Sequence, residues 1–127
     1  MTKLILVFLG AGLGGAARHG VNLWSLQTFG PHFPAGTFLV NVVGSFLMGL
    51  IAGWFAFRAD MTGAAEIRLF LTTGVLGGFT TFSAFSLDSI VLIERGDYMS
   101  AAVYIMGSLV LSIAALAVGL AVVRSFT

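Results

Sequence analysis

Residues 98–123 contain no Asp, Glu, Lys or Arg, and neither do residues 36–57. A helix that spans a bilayer needs ~20 consecutive, mostly apolar residues, and each run meets that length. Two further runs match it: residues 4–26, interrupted only by Arg18, and residues 69–93. Charged residues make up 9% of the chain, against about 25% in a soluble domain. The sequence therefore predicts an all-α membrane protein with four transmembrane helices, forming a single transmembrane domain over residues 1–127. An even number of spans returns both termini to the same side. Met1-Thr2-Lys3 and the apolar run from Leu4 to Leu9 have the look of a signal peptide. The run passes into a glycine-rich stretch without a cleavage site, so it reads as a retained first span.

The connections are short. Gly30-Pro31-His32-Phe33-Pro34 is a turn, residues 58–68 hold Arg58, Asp60, Glu66 and Arg68 and read as a solvated loop, and Glu94-Arg95-Gly96-Asp97 is a polar turn. None of them is long enough to be a second domain. Without cysteine there is no disulfide and no thiolate metal site. A net charge of +1 argues against nucleic acid as a partner. No nucleophile, base and acid stand together, and the glycine runs do not lead into a Lys-Ser/Thr pair, so neither an enzyme nor a phosphate loop is indicated. Lys3, Arg58, Arg68 and Arg124 fall on the side of the termini, with Arg95 opposite; this bias favours cytoplasmic termini.

The third span is the irregular one. Gly74, Gly77 and Gly78 fall within five residues and are followed at once by Thr80 and Thr81. Glycine is a poor helix former, and threonine hydroxyls compete for helix carbonyls. A break near Gly77 to Thr80 follows, and bare backbone at membrane depth must be satisfied by protein, water or an ion. Gly10 with Gly14, Gly49 with Gly53, and Gly74 with Gly78 are small-xxx-small pairs suited to close helix packing.

Polar groups line up on two spans. Thr37, Asn41 and Ser45 recur every four residues on the second; Tyr104, Ser108 and Ser112 do so on the fourth. Such stripes either bond helices together or line a pathway. Phe82 and Phe85, three residues apart just after the break, share a helix face with Ser83 and Ser86 beside them. An aromatic edge is weakly positive, and attracts an anion without trapping it. Arg18 is the one cation well inside a span, with Asp88 as a candidate partner.

Three blocks carry a family resemblance: Gly10-Ala11-Gly12-Leu13-Gly14-Gly15-Ala16-Ala17-Arg18; Gly36-Thr37-Phe38-Leu39-Val40-Asn41-Val42-Val43-Gly44-Ser45-Phe46; and Gly77-Gly78-Phe79-Thr80-Thr81-Phe82-Ser83-Ala84-Phe85-Ser86. The chain resembles the Fluc (also called CrcB) family of fluoride ion channels. The resemblance implies a multi-pass protein of the bacterial cell inner membrane, an antiparallel dual-topology homodimer with two fluoride pores. It implies that Phe82 and Phe85 form an aromatic box and that Asn41 donates to fluoride. Tyr104, Ser108 and Ser112 would form a polar track beside Thr37, and Arg18 would sit in an aqueous vestibule. Backbone carbonyls of Gly77 and Thr80 from both subunits would hold a structural sodium ion on the dimer axis. The alternative class is a small multidrug or guanidinium exporter, which needs a membrane-embedded carboxylate; the first span carries Arg18 instead.

Overall fold

A computed structural model describes residues 1–58 and 60–126. Helices α1 (Thr2–Phe29), α2 (Ala35–Ala56) and α6 (Tyr98–Ser125) are unbroken. The third span is assembled from pieces: α3 (Ala64–Leu69), a π-helical segment (Phe70–Leu76), α4 (Gly77–Phe79) and α5 (Phe82–Glu94). Four helical runs are long and apolar enough to cross a membrane. At 28 residues α1 and α6 are each about 42 Å long, more than the ~30 Å hydrocarbon layer, so their ends reach the interfaces.

The sequence assigns all of 58–68 to a loop, whereas helix begins at Ala64. Gly63, at φ 77°, turns the chain into it, Glu66 lies in its first turn and Arg68 in its last, an arrangement that complements the helix dipole. Of the 58–68 connection, Ala59 lies outside the described residues.

Glycines set how closely the helices approach. A Cβ on Gly10 would lie 2.8 Å from the Phe70 carbonyl oxygen and 2.9 Å from Gly74 Cα. A Cβ on Gly14 would run into the Val75 carbonyl, and one on Gly78 into that of Ala11. So α1 lies backbone to backbone against the π-helical segment and α4. Elsewhere, Gly49 faces the Leu116 carbonyl and Gly119 faces that of Phe46, which draws α2 against α6. Lipid provides no hydrophobic drive between helices, so this close approach is what holds them. Little is buried in consequence: Val40, Leu92 and Tyr104 are the largest fully enclosed side chains, while Phe8 and Ile113 are 77% and 71% exposed.

Candidate functional site

The centre of the site is a departure from helical geometry at Thr80 (φ −85°, ψ 157°) and Thr81 (φ −153°, ψ 125°). Gly77 and Gly78 themselves stay helical. Gly78 leaves room for Ala11 of α1, whereas a Cβ on Gly77 would meet only the Thr72 carbonyl at 3.5 Å, and the extended residues lie later than the glycine cluster suggests.

Side chains take over several of the hydrogen bonds around Thr80 and Thr81. In a continuous helix the Thr81 N–H would donate to the Gly77 carbonyl. Here it donates to Asn41 Oδ1 at 2.9 Å, while Asn41 Nδ2 donates to the Thr81 carbonyl at 3.0 Å. Asn41 thus grips Thr81 from both sides, as a neighbouring strand would. The Ala84 N–H, due in a helix to Thr80, donates to Thr81 Oγ1 at 3.1 Å, so Thr81 is the N-cap of α5. The Thr80 hydroxyl and N–H both donate to the Leu76 carbonyl, at 2.9 and 3.0 Å. Gly44, one turn along α2 from Asn41, leaves room for the Thr80 methyl. The carbonyls of Gly77 and Thr80 have therefore lost their helical donors.

Beside this segment lies a cavity of about 250 Å³ whose lining includes Asn41, Phe82, Phe85, Ser108 and Ser112. No charged side chain lines it. Ser108 Oγ and Ser112 Oγ are buried and have no hydrogen-bond partner among the described residues. Asn41 Nδ2 carries two hydrogens, one engaged by Thr81 and one left over. The Phe82 and Phe85 ring centroids are 5.5 Å apart. Phe85 is buried, whereas Phe82 is 73% exposed.

Two of the expected pore residues, Thr37 and Tyr104, are not in the lining of this cavity. The Tyr104 ring packs on Phe85 at 5.3 Å, and its hydroxyl donates to Asp88 Oδ2 at 3.1 Å. Thr37, Asp88 and Arg95 help line a second cavity of about 360 Å³. Fully buried Tyr104 thus touches Phe85, which lines the first cavity, and Asp88, which lines the second. The suggested pairing of Arg18 with Asp88 gives way to separate partners: half-buried Arg18 donates from Nε to the Gly78 carbonyl at 3.1 Å. Thr81 was not singled out from sequence. Its signal, a threonine directly before an apolar helical run, is that of an N-cap.

A family model described as "CrcB-like protein, Camphor Resistance (CrcB)" matches residues 5–120. The chain belongs to the CrcB family. It is 55% identical over 126 residues to "Fluoride-specific ion channel FluC" of Methylobacterium nodulans, covering 99% of both chains. It is 57% identical over 123 residues to "Fluoride-specific ion channel FluC 2" of Nitrobacter hamburgensis, covering 97% of this chain and 98% of that one. It is 51% identical over 125 residues to the Agrobacterium fabrum protein of the first name, covering 98% of each. With four spanning helices, this CrcB member is a multi-pass membrane protein.

Proposed function

We propose that the protein is a fluoride-selective channel, and not an enzyme, that lets fluoride leave the cytoplasm passively down its gradient. The observation that carries this reading is the pair of buried, unpartnered hydroxyls, Ser108 Oγ and Ser112 Oγ, in a cavity without charge. A buried polar group without a partner costs free energy, and an anion accepting from both hydroxyls and from the spare Asn41 N–H would remove that cost. The Phe82 and Phe85 edges add weak attraction. No ammonium or guanidinium lines the cavity to hold the ion, and conduction requires that it can leave. Near-full-length relatives named as fluoride-specific channels support the choice of ion.

The working unit we propose is an antiparallel, dual-topology homodimer with two pores. Phe82 stands largely exposed on the protomer although it lines the cavity, which fits a path completed by a second copy. The interruption at Thr80 and Thr81 would then serve as a cation site. The carbonyls of Gly77 and Thr80, deprived of helical donors, suit a hard monovalent cation such as sodium, and two-fold symmetry would double them. The ion would supply positive potential and satisfy backbone that lipid cannot. Thr37 and Tyr104 would continue the polar track past Phe85.

Purified protein in liposomes loaded with fluoride, followed by a fluoride electrode, tests the reading. Release driven by the fluoride gradient alone is expected, with far slower chloride release. Strict dependence on a proton gradient would make it an exporter instead.

A further inference from the structure

We infer that Arg18 is a positioning residue that caps the interrupted third span through Nε, rather than a charge that collects anions in an aqueous vestibule. This rests on the proposed cation site at Gly77 and Thr80. Residues 64–79 form one continuous helical run through α3, the π-helical segment and α4, and its last carbonyls carry the negative end of the helix dipole. Gly78 is among them; its helical donor would be the N–H of Phe82, which starts a new helix on the far side of two extended residues. Arg18 supplies the missing donor at 3.1 Å. Its place is fixed from below. Gly14, one turn earlier on α1, lies against Val75 and Phe79, and Ala11 lies against Gly78, so the α1 backbone cannot slide along α4 without collision.

The bond sorts the exposed carbonyls. Gly78 is held by Arg18 and Thr81 by Asn41, whereas the carbonyls of Gly77 and Thr80, one residue before and two after Gly78, have lost their helical donors to Asn41 and the Thr81 hydroxyl. Without Arg18, the Gly78 carbonyl would compete for the same cation and the α4 end would rotate toward it.

Bond topology gives a discriminating test. The Gln amide nitrogen hangs on Cδ, as Arg Nε does, so Arg18→Gln keeps a donor in place without charge. Arg18→Lys keeps the charge but puts a methylene where Nε stands, and Arg18→Met keeps neither. The full-length protein is purified and reconstituted in each form. Thermal stability is measured against sodium concentration, and fluoride flux against fluoride concentration and ionic strength. The expected result is a sodium requirement within about threefold of wild type for Gln and raised at least tenfold for Lys and Met, with the fluoride dependence of the remaining flux unchanged. Lys behaving as wild type while Gln loses flux in a salt-sensitive way would overturn the inference in favour of a charge collector. An unchanged sodium requirement in all three would overturn it as well. Should Lys and Met yield no folded protein, Gln decides alone: wild-type behaviour supports the cap, and a tenfold shift refutes it. Wild-type protein whose stability ignores sodium would instead dispose of the cation site itself.

Discussion

Replacing Asn41 by Leu tests the grip on Thr81 most directly. Leu keeps the same branching, with a larger volume, but can neither accept from the Thr81 N–H at 2.9 Å nor donate to its carbonyl at 3.0 Å. Interhelical side-chain bonds in membranes contribute roughly 0.6–2 kcal/mol each, and a buried backbone group left bare costs roughly 1–3 kcal/mol. For one N–H and one C=O together, the expected loss is about 2–4 kcal/mol. Reversible unfolding of the purified protein in mixed detergent micelles measures it. Asn41→Asp separates the two bonds, since a carboxylate still accepts from the Thr81 N–H but donates nothing to its carbonyl. Its fluoride flux should collapse because the new charge opposes the anion, and the buried carboxylate carries its own cost in the membrane. If Asn41 served only as a donor to the ion, Leu would stop flux and leave stability unchanged. Stability within about 0.5 kcal/mol of wild type would therefore refute the clamp.

Phe85→Ile keeps apolar bulk while removing both the aromatic ring that helps line the cavity and its 5.3 Å contact with Tyr104; a large drop in fluoride flux is expected from electrode traces, and unchanged flux would return Phe85 to plain packing. Ser108→Ala together with Ser112→Ala removes two hydroxyls that have no partner among the described residues, so thermal stability should hold or rise while flux falls. Prolonged removal of sodium should abolish flux, and isotope uptake should show that sodium does not travel with fluoride.

The four spans could be read from sequence because apolar length alone decides them, and the stripes Thr37-Asn41-Ser45 and Tyr104-Ser108-Ser112 because helical spacing puts each set on one face of its own helix. The site was less legible where one residue type has two uses. Gly77 and Gly78 read as breakers by propensity, yet both remain helical; α1 needs the bare backbone of Gly78, and the residues that leave the helix are Thr80 and Thr81. No pattern in the sequence marks Thr72 and Thr73. They lie in the π-helical segment, where the Thr72 hydroxyl donates back to the Arg68 carbonyl at 2.8 Å. Such back-bonding competes with the helix ladder, but propensity does not state which way the competition falls. The partners of Arg18 and Asp88 depend on how α1 meets α4 and α5 meets α6, and no spacing within one helix encodes that.

The hydrogen bonds at Thr80 and Thr81 also bear on the order in which the protein enters the membrane. The two side chains that satisfy the interruption from outside, Arg18 and Asn41, both precede it in the chain. When translation delivers the third span, its caps already wait in the bilayer on α1 and α2. A circular permutant beginning at Ala64 would present bare carbonyls to lipid before either cap existed, at several kcal/mol per group. Its third span would stall at the translocon or enter as a different helix. The native order of spans is thus itself part of how an interrupted helix can be made.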